Sequence, residues 1–327
     1  MTATDVGAAS ILSGRGDVFV INDNGGQLYR FAPDAKHESW LSVDLRRDAA
    51  TWGRLQPFTT GDLIFDETWE GALGMIKQTD AMLIGIKEPV VGLDVRPYDP
   101  GRRGAWYSLG FLLRSEASRQ LDIGTSELTV GYSVRHTPSG TRVEAFLADS
   151  LENGAGYCTR LGHPAQTEML LHGTDRFGSE LAKPPHSDCD SSCPDCLRDF
   201  SNLVFHPLLD WRLGRDLLDL MLGRSLDTDR WIEGERLLAA AFAADFYGEA
   251  VRLDGGAWAI AGESSVVIIR HPLESPTESD DPTGLTLTER MDRAYIDAED
   301  RIGRDRVRFV SSFDLQRRPG WVMARMA

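Results

Sequence analysis

Three cysteines within eight residues carry the strongest chemical signal in the sequence. Cys189, Cys193 and Cys196 follow a C-x3-C-x2-C spacing, and Pro194 stiffens the turn between the last two. A C-x2-C pair can point two sulfurs at one ion, and Zn²⁺ takes four tetrahedral ligands with Zn–S distances of about 2.3 Å. The spacing therefore predicts a zinc knuckle that supplies three of the four ligands.

The fourth ligand is open among three residues. Cys158 is the remaining cysteine and follows a Gly-rich turn that could fold back on the knuckle. His206 comes ten residues after Cys196, and His186 stands close to Cys189. Four thiolates would leave no position for water or substrate, so such a zinc would be structural. The predicted ligand set is Cys158, Cys189, Cys193 and Cys196, with His206 and then His186 as alternatives.

A second set of residues could contact phosphate groups. Residues 301–327 hold seven arginines against two aspartates, a net charge of +5 on an acidic chain. Arginine suits bidentate contacts with phosphate, and Arg306 and Arg308 would share one face of a strand. A solvated edge, or pairing with the acidic loop at 274–281, is the alternative interpretation. The predicted nucleic-acid-binding residues are Arg306, Arg308, Arg317 and Arg318.

The elements around these residues alternate between strands and helices. Residues 17–31 predict a hairpin with its turn at 23–26, because two apolar runs flank Asp, Asn and Gly. Apolar residues at helical spacing predict helices at 105–120 and 207–222. The pattern predicts an α+β fold: a zinc-knuckle domain with a mixed or antiparallel sheet and flanking helices. We expect three regions: a β-rich segment at 1–95, the zinc-binding domain at 96–222 and an α/β segment at 223–327.

Composition limits the class of protein. The chain has 327 residues, 42% of them hydrophobic, and 50 acidic against 35 basic residues give a net charge of −15. These values exclude a disordered or collagen-like chain, and the charge argues against an autonomous DNA-coating protein. No signal peptide or membrane-spanning stretch is visible, so we expect a cytoplasmic protein that does not contact a membrane. Thiols in that compartment bind metal more often than they form disulfides.

Several of these residues carry a resemblance to a known family. The motif Asn153-Gly154-Ala155-Gly156-Tyr157, the knuckle at 193–197, and then Asn202, His206 and Leu208-Leu209-Asp210 resemble the DUF1998 domain. That zinc-binding module stands at the C-terminal end of MrfA-like DEAD/DEAH-box helicases and occurs in subunits of DISARM-type phage-defence systems. The resemblance covers residues 96–222. MrfA-type members carry a further cysteine shortly after the knuckle, and Asn202 lies near that place here.

The resemblance implies a role beside a DNA helicase. The Walker A loop of such motors needs G-x4-G-K-[ST] to hold phosphates, and this chain has no Gly-Lys dipeptide. We therefore expect a non-catalytic, zinc-binding accessory subunit, or a split C-terminal module, of a superfamily 2 helicase. Phage defence or DNA repair, a helicase motor as partner and DNA contact through the complex are all implied by the resemblance.

Two other functions stay open at this point. A metal-dependent nuclease could use acids of the C-terminal segment, with Asp254 and Glu263 as the candidates. Such a nuclease would want a lysine two residues after the second acid, and Ser265 stands there. A protein-interaction scaffold that contacts no nucleic acid is the other alternative.

Overall fold

The computed structural model describes residues 1–22, 28–34, 39–42, 69–137, 140–276 and 286–326. Within these ranges the architecture is α+β, as the sequence predicts. The strands are β1 Thr2–Val6, β2 Ala9–Asn22, β3 Tyr29–Asp34, β4 Ser39–Ser42, β5 Trp69–Gly71, β6 Leu73–Ile86, β7 Leu128–Thr137, β8 Gly140–Asp149, β9 Gly248–Arg252, β10 Trp258–Gly262, β11 Val266–Arg270 and β12 Val307–Ser311. The helices are α1 Pro100–Leu121, α2 Tyr157–Leu161, α3 Pro164–Leu181, α4 Trp211–Met221, α5 Asp229–Phe242, α6 Glu289–Ile302, α7 Ser312–Arg317 and α8 Pro319–Met326.

The chain forms two compact units. One unit comprises residues 1–15 and 80–327, and the other comprises residues 16–79. The predicted region boundaries at 95/96 and 222/223 stay predictions. The predicted turn at 23–26 lies outside the described residues. Within the described part, β3 pairs with β4 and β5, whereas β2 belongs to another sheet, so these two strands do not form the predicted hairpin.

Helix α1 is the centre of the larger unit. Asp99 caps it by accepting the Arg102 backbone N–H at 2.9 Å, and Pro100 occupies its first turn. Its side chains are buried on nearly every face, and the Trp106 indole N–H donates to the Val95 carbonyl at 2.7 Å. One side of α1 faces a sheet of strand order β1-β2-β6-β8-β7, and the other faces α3 and α4. This core fixes the position of the segment between α3 and α4.

The C-terminal sheet has the order β12-β11-β10-β9, with β11 and β12 parallel and the remaining pairs antiparallel. All five residues of β11 are buried. Successive strand side chains point to opposite faces. Accordingly Val266 and Ile268 join one hydrophobic cluster with α6, whereas Val267 and Ile269 join another with α5 and α7. The C-terminal segment therefore forms a mixed sheet, and helices cover both of its faces.

A buried network of charged groups joins α4 to the C-terminal elements. Asp216 on α4 pairs with Arg230 and accepts from the His271 Nε2–H at 3.0 Å, and both Asp216 and His271 are fully buried. The His271 Nδ1 accepts the Leu273 backbone N–H at 3.1 Å, which assigns the proton to Nε2. Because buried charges are costly unless paired, this network holds the elements on both sides of residue 222 together.

Candidate metal centre

The segment that carries the cysteines begins where α3 ends. A short 3₁₀ turn over His186–Asp188 leads into the knuckle, and a second 3₁₀ segment, Phe200–Phe205, follows it. Helix α4 then begins after Asp210, whose side chain accepts the Arg212 backbone N–H at 3.0 Å. The helix predicted at 207–222 therefore begins four residues later than expected, because Asp210 caps it.

Three ligand-type side chains converge in this segment. The ligand atoms of His186, Cys193 and Cys196 all lie within 4.8 Å of one another. The Cys193 Sγ lies 3.5 Å from the His186 Nδ1. Tetrahedral zinc with Zn–S near 2.3 Å and Zn–N near 2.0 Å places sulfur and nitrogen about 3.5 Å apart. The three side chains therefore fit a metal ion such as Zn²⁺, with His186 as a candidate ligand beside the sulfurs of Cys193 and Cys196.

The knuckle cysteines have the backbone geometry of a tight turn. The Cys193 backbone N–H donates to the Cys196 Sγ at 2.9 Å, and the Arg198 backbone N–H donates to the Cys193 carbonyl at 3.0 Å. Cys189 packs against the same hydrophobic cluster as Cys193 and Cys196. The three residues thus pack on one cluster, but within the described residues the Cys189 Sγ is outside the group of ligand atoms that lie within 4.8 Å of one another.

Arg212 on α4 and the Leu209 carbonyl hold the knuckle segment in place. The Arg212 Nη2 donates to the Ser187 carbonyl at 2.8 Å and to the Cys189 carbonyl at 3.0 Å. The Ser192 hydroxyl donates to the Leu209 carbonyl at 3.1 Å. Leu197 is buried in the cluster formed by Phe111, Leu112, Leu181, Cys196, Leu209 and Trp211. The cysteines are therefore positioned by α1, α3 and α4 rather than by the knuckle loop alone.

Burial affects Cys196, the most buried of the three knuckle cysteines. Desolvation is the main cause that raises the pKa of Cys196 to about 12, and its neighbours Cys193 and Cys189 contribute. A thiolate in that position needs a cation beside it, because burial disfavours the charged form. A bound Zn²⁺ would supply that charge, since metal-ligating cysteines are deprotonated.

Cys158 lies in a different cluster from the knuckle cysteines. It is fully buried with residues of the sheet and of α1. Burial, followed by the nearby Asp149, raises the pKa of its thiol well above its ordinary value. Within the described residues, Cys158 is outside the group of converging ligands. Its assignment as a zinc ligand stays a prediction.

The Gly-rich turn before Cys158 wraps a carboxylate. The Asp149 side chain accepts the backbone N–H groups of Ala155, Tyr157 and Cys158 at 2.7, 3.1 and 2.9 Å. Successive N–H groups in such a turn make an anion-binding concavity. The turn therefore anchors α2 to the end of β8.

The side chain of His206 is hydrogen-bonded to the second 3₁₀ segment and to the residue that caps it. Its Nε2 lies 2.8 Å from the Asn202 Oδ1 and 3.1 Å from the Asp199 carbonyl oxygen. Both of these atoms accept, so the Nε2 carries the proton. Within the described residues, His206 is not part of the converging group. The sequence indicated His186 only through its closeness to Cys189. That signal is weaker than those that favoured Cys158 and His206.

The predicted phosphate-contacting arginines have different environments. Both Arg306 and Arg308 are exposed, but Arg306 ends a 3₁₀ turn before β12 and only Arg308 lies in the strand, so the two do not share a strand face. The Arg308 Nη1 donates to the Asp305 carbonyl at 2.7 Å. The Arg317 Nη1 donates to the Pro207 carbonyl at 2.7 Å, and Arg318 pairs with Asp314 at 2.7 Å. The Arg317 guanidinium therefore already ties two separate parts of the chain together, whereas that of Arg318 makes a local pair with a residue four positions earlier.

The two candidate nuclease acids lie in separate turns. Asp254 is in the turn between β9 and β10, where its backbone N–H donates to the Asp297 carboxylate at 3.0 Å. Glu263 lies in the turn between β10 and β11. Among the residues that the structure describes, neither acid belongs to a group of three possible metal ligands.

The fold and site define an α+β module with a cluster of Cys and His side chains between two helices that could hold a metal ion. No protein-family model matches the chain. It is 32% identical over 157 residues to Druantia protein DruE of Escherichia coli (strain UMEA 4076-1), which is 45% of this chain and 8% of that protein. The chain thus spans a small part of the length of this curated relative.

A solved structure also resembles the chain in part. The crystal structure of the DUF1998 helicase MrfA bound to DNA matches 68% of this chain and 23% of that chain, with 12% identity and a TM-score of 0.37. No described helix is both long and apolar enough to cross a membrane.

Proposed function

We propose that the chain is a non-catalytic, zinc-binding module of a superfamily 2 DNA helicase, acting either as an accessory subunit or as a domain. The convergence of His186, Cys193 and Cys196 is the observation that carries the proposal. The DUF1998 resemblance supports the helicase partner and a role in phage defence or DNA repair. DNA would be reached through the complex, since the net charge of −15 opposes DNA binding by the isolated chain.

The ligand set that we propose is Cys189, Cys193, Cys196 and His186. The distance of 3.5 Å between the Cys193 Sγ and the His186 Nδ1 supports histidine as the fourth ligand. Cys158 is the alternative from the sequence, and its burial among core residues speaks against it. Three thiolates and one imidazole close the coordination sphere, so the metal would have no open position for substrate.

The chain's own residues position the ligands in this proposal. Helix α3 ends at Leu181 shortly before His186, while Arg212 on α4 holds the carbonyls of Ser187 and of the first cysteine. Zinc would supply the charge that keeps the buried sulfur of Cys196 as thiolate. It would connect the end of α3 to the start of α4, with a contribution on the order of 10 kcal/mol to the folding of a small site.

Metal analysis of matched variants tests the ligand set. Wild type should contain one zinc per chain, and His186→Ala and Cys193→Ser should lose most of it under mild chelation. Cys158→Ser and His206→Ala are the controls and should retain wild-type zinc. Zinc loss in Cys158→Ser with retention in His186→Ala would contradict the proposed set, and a zinc-free wild type that keeps its Tm would contradict the zinc site itself.

Co-expression tests the partner. We expect a helicase gene beside the gene of this chain, and its product should form a complex with the chain on size-exclusion chromatography. ATP hydrolysis should depend on the motor, whereas Cys193→Ser should weaken the complex. Separate elution of the two proteins at micromolar concentration would contradict an accessory role. Metal-dependent nicking by the chain alone, lost in Asp254→Ala, would favour the nuclease instead.

A further inference from the structure

An apolar patch follows the knuckle directly. Phe200, Leu203 and Val204 are 91%, 54% and 79% exposed, and all three belong to the short Phe200–Phe205 segment, which bends at Asn202. Single exposed apolar side chains are common on protein surfaces, whereas adjacent ones mark interaction sites. We refer to these three residues as the knuckle patch.

The segment that carries the knuckle patch is held in place from beneath. Asp199 and Asn202 form a capping box, in which each side chain accepts the other's backbone N–H. Asn202 is fully buried and its Nδ2 donates to the Leu197 carbonyl at 2.7 Å. The Phe205 ring lies 4.3 Å from the Tyr107 ring, between centroids. A surface that is already ordered loses little conformational entropy on binding.

The exposed charges of the knuckle segment are negative, whereas its fourth aspartate, Asp199, is paired with Arg114 of α1. Residues 186–206 contain four aspartates and one arginine, a net of −3. Asp188, Asp190 and Asp195 are exposed. Within the described part of the chain, none of these three forms an ion pair. The arginine, Arg198, donates to the Ser192 hydroxyl at 2.8 Å.

This charge distribution decides between classes of partner. Single-stranded nucleic acid stacks bases on exposed aromatic rings, but it needs cations beside them for the phosphates. An anionic lipid surface has the same requirement. A polypeptide with an apolar centre and a rim of lysine and arginine complements both the patch and the acids.

We infer that the knuckle patch is the docking site for a protein partner whose contact surface is apolar at its centre and basic at its rim. This inference deepens the proposed function and rests on it, because it names the surface at which the module would hold its protein partner. The zinc ligands and the capping box orient the patch, and the aspartates select against acidic surfaces.

Two synthetic helical peptides of about four turns can probe the knuckle patch. Both carry a leucine face, one with lysine and the other with glutamate on the remaining positions, and each has a photo-crosslinker. Fluorescence anisotropy should show that the lysine peptide binds the full chain and the glutamate peptide does not. The crosslinks of the lysine peptide should map to residues 188–206.

Variants of the patch give the decisive comparison. Phe200→Ser with Val204→Ser should weaken binding of the lysine peptide about tenfold or more. Met169→Ser removes a comparably exposed apolar side chain on α3 and should change nothing. Asp190→Asn with Asp195→Asn should weaken binding and reduce its salt dependence. If the double variant loses zinc or its helical circular dichroism signal, the binding comparison uses Val204→Ser alone.

Several results would overturn the inference. These are failure of the lysine peptide to bind wild type, equal binding to the patch variants, and equal binding of the glutamate peptide. Binding of a single-stranded oligonucleotide that is lost in Phe200→Ser would make the patch a base-stacking surface instead. Zinc content and co-elution with a helicase are measured separately, so failure of the patch is distinguishable from failure of the proposed function.

Discussion

Asp149 and Gly154 show how one turn motif serves the core instead of the metal. Asp149 is fully buried, and its carboxylate is satisfied by backbone N–H groups of the Gly-rich turn. Gly154 adopts φ +76, a region that favours glycine. A Cβ there would lie 2.2 Å from the Asp80 Oδ2. The glycine is therefore required by both conformation and space.

A pair of glycine variants separates these two requirements. Gly154→Ala should lower the free energy of unfolding by about 2–4 kcal/mol, because strain at positive φ adds to the clash with Asp80. Gly156 has φ +83, and a Cβ added there would meet nothing within 4 Å, so Gly156→Ala should cost only about 1–2 kcal/mol. Urea denaturation of both variants measures the difference. Equal losses would mean that the contact with Asp80 is unimportant.

Asp210 gives the stability a dependence on pH. Burial raises the pKa of this carboxyl to about 6, against the opposing effect of Arg212. The folded chain therefore holds a proton at pH values where the unfolded chain, with a pKa of 3.8, has lost it. The contribution of the protonated Asp210 carboxyl to the free energy of unfolding is fully present below pH 3.8, and it is lost as the pH rises to about 6. The loss is about 3 kcal/mol.

Asp210→Asn should remove this loss, since asparagine is neutral and also caps helices. The free energy of unfolding of the variant should therefore rise relative to wild type between about pH 4 and pH 6, and stay level above that range. Chemical denaturation at several pH values measures the difference. The exposed Asp195→Asn is the control. A difference that does not change with pH would contradict the assigned direction.

At this scale, sequence spacing was enough for part of the centre. Cys193 and Cys196 are three residues apart, so their short turn dictates that their sulfurs are close in space, whereas Cys189 is outside the converging group of the described residues. His186 is separated from them by a turn whose direction depends on α3 and on Arg212, which spacing does not encode. The place of Cys158 depends on the packing of the sheet against α1, a long-range property.

The helices show how caps decide where elements begin. The apolar stripe predicted a helix at 105–120, and α1 runs over Pro100–Leu121, because Asp99 and Pro100 start it earlier. A similar stripe predicted a helix at 207–222, but α4 begins only at Trp211 because Asp210 caps it. Periodicity thus identified both helices, and a single capping side chain set each N-terminus.

The close contact of α1 with α4 depends on Gly214. A Cβ at this position would lie 2.8 Å from the Leu109 backbone nitrogen. Gly214→Ala should therefore destabilise the protein by about 1–3 kcal/mol through overpacking, although alanine is the better helix former. Gly178 on α3 is the control, because its added Cβ would meet only Arg215 at 3.6 Å.

Gly178→Ala should be neutral or stabilise the protein by up to about 1 kcal/mol. Thermal unfolding followed by circular dichroism compares the two alanine variants with wild type. Stabilisation by Gly214→Ala would show that the two helices do not approach each other as closely as the structure has them.

For the whole molecule, composition and periodicity predicted the α+β class correctly. The strand pairing of residues 17–31 was wrong within the described residues, because turn chemistry says nothing about competing strands that are distant in sequence. The buried network of Asp216, Arg230 and His271 was also invisible, since each residue alone has an ordinary sequence context. It joins two of the regions that motif and composition had separated.

The charge distribution of the whole chain sets how it can meet DNA. A net charge of −15 repels phosphates, while Arg306 and Arg308 are exposed on one edge of the C-terminal sheet. Any direct contact with duplex DNA should therefore be weak, depend steeply on salt and rest on few arginines. Arg306→Ala with Arg308→Ala should reduce the slope of log K against log salt by about 2.

Arg301→Ala is the matched control, because Arg301 already pairs with Asp297 at 2.8 Å. Fluorescence anisotropy with a duplex, repeated over a series of salt concentrations, gives the slopes for wild type and both variants. If the double variant keeps the wild-type slope, these arginines do not contact phosphate. DNA would then be reached through the helicase partner alone, which is the arrangement that the acidic composition favours.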